Sequence, residues 1–229
     1  MDNKIYKEFL GEARQHINSI KGNVPAHRSS AKHIYSFSGK SFSLQLGIWD
    51  YIWHNTDEFW VKVHAIFFLE RHMKKTDSLK QMWPVVSSWQ DRVDDWPLCD
   101  ALAKIYTKIL VVEPAKVYPT LKKWNKDDDL WKRRQSVVSL LYFSRTKKKY
   151  LAFDKIETLV NSLLNDKEYY VQKGVGWTLR EMYTVYPRQT FSYLIFNIKS
   201  INSIAFTIAI EKMNAVARDK LKSLRKLKL

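Results

Sequence analysis

Residues 93–109, VDDWPLCDALAKIYTKI, contain the pattern that the rest of the chain repeats: acidic residues, then an aromatic residue, then an apolar helix. Asp94 or Asp95 is placed to cap the helix, since a side-chain carboxylate satisfies one of the first unpaired N–H groups. Pro97 suits the first turn, where its missing N–H costs nothing. This stretch therefore predicts a helix with a defined start.

The same pattern occurs in residues 56–73 (TDEFWVKVHAIFFLERHM), 127–143 (DDDLWKRRQSVVSLLYF) and 166–183 (DKEYYVQKGVGWTLREMY). The aromatic residues align at intervals of 35–39 residues, at Trp60, Trp96, Trp131 and Tyr170. A second apolar helix is predicted between successive members, at about 78–89, 114–124 and 154–165. Two helices in such a period are the signature of an α-solenoid of HEAT or armadillo type.

The whole chain is therefore predicted to be all-α, a curved α-solenoid of HEAT-like repeats with a basic concave face, in a single domain over residues 1–229. Residues 1–54 are expected to form irregular N-terminal helices: 4–20, a short helix at about 29–36, a turn at Gly39, and 42–54. A hairpin around SGKS, at residues 38–41, is the alternative for the stretch that contains Gly39. The clear repeats occupy 56–200. Residues 201–229 form a C-terminal helix and a basic tail that we expect to fray beyond about residue 222.

The composition indicates a folded protein with a polyanionic partner. Hydrophobic residues make up 45% and aromatic residues 14% of the chain, and 39 Lys and Arg against 23 Asp and Glu give a net charge of +16. Nucleic acid is the first candidate partner and a membrane surface is the rival. No apolar run approaches the roughly 18 residues that cross a bilayer. We expect a cytoplasmic monomer, associated with the nucleoid when bound to DNA.

Cysteine and histidine usage argues against metal chemistry. The lone Cys99 excludes an internal disulfide framework and a multi-cysteine zinc site. The six histidines lack metal-ligand spacing, and His64 with His72 is expected on a helix surface. We therefore expect no metal and no cofactor.

Trp96 and Asp100 are one helical turn apart on the same face. The pair has two interpretations. Trp96 could belong to the core while Asp100 makes a surface ion pair with Lys104. Alternatively, the ring face and the carboxylate could together attract a cation.

The repeat register gives the charged residues a common face. Asp100 shares a row with His64, Gln135 and Gly174, and Arg134 shares the neighbouring row with Lys173. A cationic track with one carboxylate inside it fits a phosphate-backbone binder with a local reaction centre. A solvated face with scattered charges is the alternative. The candidates for phosphate contact are Lys132, Arg133, Arg134, Lys173, Arg180 and Lys148.

Trp177 also has two interpretations. The sequence GVGW lets a neighbouring helix approach closely, which would make Trp177 part of the core. Gly174 and Gly176 could instead leave room for a DNA backbone.

Three stretches, DDWPLCDAL, DDLWKRRQSVV and YYVQKGVGWTLREMY, resemble the HEAT-like repeat DNA glycosylases of the AlkD type. The resemblance extends over most of the chain. It pairs Trp96 and Asp100 with the family's W-x-x-x-D motif, Trp177 with the Trp of its QKxxGWxLRE helix, and Arg134 with the Arg of its W-x-x-R stretch. In the family these residues line the cleft that holds the damaged nucleotide.

The resemblance implies a DNA repair enzyme that excises cationic N3- or N7-alkylated purines from double-stranded DNA without flipping the base into a deep pocket. Asp100, Trp96 and Trp177 would then be the catalytic residues. Pro97 and Cys99 depart from the residues usual inside the family's W-x-x-x-D motif. Residues 36–50, SFSGKSFSLQLGIWD, depart from the family's usual loop before its third helix. Some relatives with altered segments bind branched DNA with little or no excision. A non-catalytic binder of branched or damaged DNA is therefore one alternative, and an α-solenoid scaffold for protein interactions is another.

Overall fold

The computed structural model describes residues 3–142, 144 and 149–228. The chain forms two compact units, Met1–Val112 and Glu113–Leu229. Across the described residues the secondary structure consists of thirteen α-helices and one 3-10 helix, without a strand. The prediction of an all-α helical-repeat fold is confirmed. None of the described helices has the length and apolarity to cross a membrane.

The first unit contains six α-helices and the 3-10 helix. These are α1 (Asn3–Asn18), α2 (Val24–Ser30), α3 (Phe42–His54), α4 (Phe59–His72), α5 (Thr76–Val86), the 3-10 helix (Ser87–Arg92) and α6 (Trp96–Val112). Helix α4 packs on α3 and α6, and α5 packs on α3 and α6 as well. The buried rings of Trp53 and Trp89 stack at the centre, with centroids 4.6 Å apart.

The second unit contains seven α-helices. These are α7 (Pro114–Trp124), α8 (Leu130–Val138), α9 (Phe153–Ser162), α10 (Tyr169–Val185), α11 (Pro187–Phe196), α12 (Ser203–Ile210) and α13 (Ala215–Lys228). Helix α10 lies between α8 and α12 and packs on both. Its side chains at Val171, Val175 and Leu179 are fully buried, so α10 is the central helix of this unit.

Short polar side chains set where several helices begin. The Ser41 hydroxyl accepts the Leu44 N–H at the start of α3, Asp129 accepts the Trp131 N–H at the start of α8, and Asn202 accepts the Ile204 N–H at the start of α12. Each such bond satisfies one otherwise unpaired N–H group and stabilises its helix by about 1 kcal/mol.

The helix predicted for residues 42–54 has those bounds, and the paired helices of the repeats are present near their predicted positions. Two of the secondary-structure predictions were wrong. The short helix lies at Val24–Ser30, because Pro25 occupies its first turn, and not at 29–36. Residues 215–228 are helical beyond residue 222, because Leu221 is buried and Arg225 donates to the Ile198 and Ile201 carbonyl oxygens.

Candidate nucleic-acid interface

Helix α6 presents the first candidate pair in the first unit. The Asp95 carboxylate accepts the Leu98 N–H at 2.8 Å, which identifies Asp95 as the cap. Burial raises the pKa of Asp95, although its hydrogen bond to Leu98 opposes the shift. Because the helix begins at Trp96, that side chain is on the first turn and Asp100 is on the next.

Trp96 and Asp100 differ from the residues around them in burial. Leu98, Cys99 and Leu102 are buried and fix α6 against the core. Trp96 is 51% exposed, and Asp100 is half-buried. Exposure of so large an apolar ring is unusual, and Trp96 lies one helical turn before Asp100 on the same helix. The core interpretation of Trp96 is therefore wrong.

A charge network lies one turn beyond Asp100. The Glu70 carboxylate is 3.5 Å from the Lys104 Nζ and 2.5 Å from an Arg28 guanidinium nitrogen. The Arg28 guanidinium also lies over the Phe67 ring, 4.3 Å from its centroid. Glu70 thereby connects α2, α4 and α6. The sequence provides no signal for this role, because the three helices are distant along the chain.

In the second unit, the basic residues of α8 differ in their surroundings. Arg133 pairs with Asp166 at 2.7 Å and donates to the Asp127 and Asp128 carbonyl oxygens. The Nζ of Lys132 is 3.6 Å from the Asp127 carboxylate. Arg133 therefore holds the two loops that precede α8 and α10, in addition to carrying positive charge.

Arg134 is buried, with 6% of its surface exposed. Its Nη1 donates to the Tyr170 carbonyl oxygen at 2.8 Å. The side chain lies against Gly174, where an added Cβ would be 3.2 Å from the Arg134 Cγ. Gly174 thus accommodates an arginine of this chain, and the expectation that it leaves room for DNA was wrong.

Helix α10 carries the remaining candidates on its accessible side. Trp177 is half-buried and its ring centroid is 5.4 Å from that of Tyr142, a contact that sequence reasoning missed. The Nζ of Lys173 is 5.3 Å from the centroid of the Tyr169 ring. Arg180 pairs with Glu211 at 2.7 Å and with Glu181 at 3.4 Å. Lys148 lies outside the described residues.

Four histidines and an aromatic residue meet in the first unit, contrary to the expectation that His64 lies on a helix surface. The Nδ1 of His27 and the Nε2 of His64 are 3.2 Å apart, and both residues are buried. His27 stacks on Trp60 at 3.7 Å, and His16 stacks on His33 at 3.6 Å. Within the part of the chain that the structure describes, no group of His, Cys, Asp or Glu residues is arranged to hold a metal ion.

Comparison with solved structures finds chains that are similar to this one, and the first described here supports the fold. The chain is similar to AlkD2 from Streptococcus mutans, with a TM-score of 0.61, 18% identity, and coverage of 92% of this chain and 100% of that one. It is also similar to smu.31 from Streptococcus mutans UA159, with a TM-score of 0.48, 20% identity, and coverage of 92% and 96%. A search of curated proteins finds no match.

A sequence model of one family matches most of the chain. That family is described as DNA alkylation repair enzyme, and the match covers residues 14–213. It includes the helices that carry Trp96, Asp100, Arg134 and Trp177. The chain therefore belongs to the DNA alkylation repair enzyme family.

Proposed function

We propose that the protein is a DNA glycosylase that hydrolyses the N-glycosidic bond of cationic N3- or N7-alkylated purines in double-stranded DNA, without deep extrusion of the base. The observation that supports this proposal most directly is that the exposed Trp96 ring and the half-buried Asp100 carboxylate lie one turn apart on α6. Membership of a DNA alkylation repair family supports a substrate of this class.

The chemistry needs little from the protein because the substrate is already activated. Alkylation at N3 or N7 gives the purine a positive charge, so the base leaves as a neutral molecule when the bond to C1′ breaks. Positive charge then develops on the deoxyribose. A carboxylate beside C1′ stabilises that charge electrostatically. In this mechanism Asp100 also orients a water molecule and accepts its proton as the oxygen bonds to C1′.

The aromatic residues contribute binding. The face of an indole ring attracts a cation by about 0.5–2 kcal/mol. Trp96 would contact the cationic nucleotide through this face. In the second unit we propose the same kind of ring contact with DNA for Trp177, beside Tyr142.

Phosphate contacts would supply most of the affinity for DNA. We propose Lys132, Arg133, Arg134, Lys173, Arg180 and Lys148 for this role. Among the described members of this set, Lys173 is half-buried and its ammonium group lies over the ring of an exposed tyrosine, Tyr169.

The test is release of the free base from a duplex that contains a single N7-methylguanine. We expect the protein to release N7-methylguanine, and Asp100→Asn to lower the rate by about 10²–10⁴-fold, the usual contribution of a positioned general base. Asp94→Asn is the matched control, because it removes the same charge from an exposed position six residues away. Equal rates for Asp100→Asn and Asp94→Asn would contradict the role of Asp100.

Measuring the affinity of each variant for the same DNA distinguishes a loss of catalytic activity from a loss of DNA binding. Asp100→Asn should bind the duplex as tightly as the parent protein or slightly more tightly, since a negative charge near phosphates is removed. Circular dichroism and a melting curve would detect loss of the fold. No release from any alkylated duplex, together with tight binding to a four-way junction, would favour the non-catalytic DNA binder.

A further inference from the structure

An open groove of about 460 Å³ lies in the second unit between α10 and α12. Helix α10 contributes Tyr169 and Lys173 to its walls. Helix α12 contributes Ser203, Ile204, Thr207 and Ile208. None of these six residues is acidic, so the groove combines one cation with hydroxyl groups and apolar surface.

The backbones of α10 and α12 meet closely at one point beside the groove. At Gly176, the α10 backbone comes close enough to α12 that an added Cβ would be 2.6 Å from the Ala205 carbonyl oxygen. Tyr169 is seven residues earlier and lies on the same face of α10. Tyr169 and Ser203, the first residues of the two helices, line the groove and are exposed.

The cationic wall is suited to a phosphate. The Lys173 ammonium lies over the Tyr169 ring, which is 52% exposed. Across the groove, the exposed Ser203 is the first residue of α12, and the N–H groups at a helix start favour an anion. The Ile204 N–H donates to the Asn202 side chain, which caps α12, so a phosphate in the groove would accept from other groups.

The other wall is suited to a sugar. Ile204 and Ile208 are half-buried and face the groove with their apolar side chains. The Thr207 hydroxyl donates to the Ser203 carbonyl oxygen at 2.9 Å, so its own oxygen remains an acceptor. A ligand with an anionic group next to a mainly apolar ring fits these walls better than an isolated anion.

We propose that this groove binds the sugar–phosphate backbone of one DNA strand, with a phosphate against Lys173 and Ser203 and the deoxyribose against Tyr169, Ile204 and Ile208. The proposal rests on the DNA binding of the proposed function and extends it to α12, which carries no sequence-predicted contact. A backbone is favoured over a free phosphate because one lysine holds a lone anion weakly, whereas neighbouring phosphates of a strand reach other cations of the unit.

The first test places a negative charge in the groove. Ser203→Glu should weaken binding of a 20-base-pair duplex about tenfold or more, because the carboxylate repels the phosphate. Gln189→Glu is the matched control, since it adds the same charge at an exposed position of α11 in the same unit. Circular dichroism checks that both variants fold, and Thr207→Glu is a second groove variant. Equal affinities for the groove variants and Gln189→Glu would overturn the proposal.

The second test locates the phosphate. Neutral methylphosphonates are placed one at a time along the duplex and binding is measured with the parent protein and with Lys173→Ala. One substitution should weaken binding by the parent protein and have little further effect on Lys173→Ala, because both remove the same contact. Additive losses at every position would overturn the assignment of Lys173.

The outcomes separate this proposal from the proposed function. If the protein binds DNA and releases the base, but substitutions in the groove do not change its affinity for DNA, only the groove proposal is contradicted. Groove-dependent binding without base release would contradict only the glycosylase activity. If the protein binds no DNA at all, both proposals are overturned. If Ser203→Glu weakens binding of an acidic peptide but does not weaken binding of DNA, the groove binds a protein partner instead.

Discussion

Gly176 and Ala205 bring the backbones of α10 and α12 into contact. A Cβ added to Gly176 would be 2.6 Å from the Ala205 carbonyl oxygen and 2.9 Å from its Cα. Backbone atoms cannot rotate away as the end of a flexible side chain can. Only glycine therefore permits this approach, and the position of α10, with Lys173 and Trp177 on it, depends on the contact.

Replacing Gly176 with alanine should destabilise the protein. Alanine favours a helix over glycine by about 0.5–1 kcal/mol, but the overpacked contact should cost about 1–3 kcal/mol. Urea denaturation measures the difference. The control is Gly11→Ala in α1, where an added Cβ meets nothing within 4 Å and should raise stability by up to about 1 kcal/mol. Equal effects of the two substitutions would show that α12 can move away.

The repeat register was predictable from the sequence because it depends on local pattern. An acid, an aromatic residue and an apolar helix recur at the starts of α4, α6, α8 and α10, and these starts were found within a few residues. The contact between Gly176 and Ala205 was not predictable, since it depends on which helix packs against α10. The burial of His64 was missed for the same reason: its partner His27 is on α2, 37 residues earlier.

The candidate site shows the same division. Trp96 and Asp100 lie on one helix, so their spacing alone placed them on adjacent turns. The environment of Arg134 could not be inferred, because its burial depends on Gly174 and on the Tyr170 carbonyl oxygen of another helix. Spacing predicts which residues share a face, and packing decides which of them reach solvent.

DNA binding should depend strongly on salt and little on sequence. If about five or more phosphates are neutralised, log K should fall against log salt with a slope near −4 or steeper. Lys173→Ala should reduce the steepness by about one, because it removes a single phosphate contact. Fluorescence anisotropy with unrelated duplexes between low and high salt measures both. Binding that hardly changes with salt would favour the protein-interaction scaffold.

Arg134→Ala should affect binding and stability together. Its buried guanidinium holds the Tyr170 carbonyl oxygen, and truncation would leave space beside Gly174. We expect a loss of about 1–3 kcal/mol in the free energy of unfolding and weaker binding to all sequences alike. Urea denaturation and anisotropy separate the two effects. Unchanged stability with weakened binding would mean that Arg134 acts on DNA alone.

Excision should be selective for cationic lesions. Uracil and hypoxanthine lack both the weakened glycosidic bond and the positive charge that an indole face attracts, so their release should be far slower than that of N7-methylguanine. Trp96→Ala and Trp177→Ala should each slow release of N7-methylguanine by roughly twofold to thirtyfold, less than Asp100→Asn does. Single-turnover release from matched duplexes measures these rates. Comparable rates on uracil and N7-methylguanine would exclude the proposed mechanism.

The buried pair of His27 and His64 should make the first unit sensitive to acid. Burial lowers the pKa of both residues, and that of His64 falls to about 3, with His27, His16, Arg71 and His33 adding positive charge around it. Below the ordinary pKa of about 6.5 the unfolded chain binds protons that the folded chain does not. Stability is therefore complete above pH 6.5 and declines as the pH falls towards 3.

For His64 alone the expected loss between pH 7 and pH 5 is on the order of 2 kcal/mol in the free energy of unfolding. Urea denaturation at several pH values measures it. His64→Gln cannot titrate but can still hydrogen-bond to His27, so its stability should vary less over this range. An unchanged pH dependence in His64→Gln would mean that other groups carry the acid sensitivity, because the substitution removes the most strongly shifted histidine of the cluster.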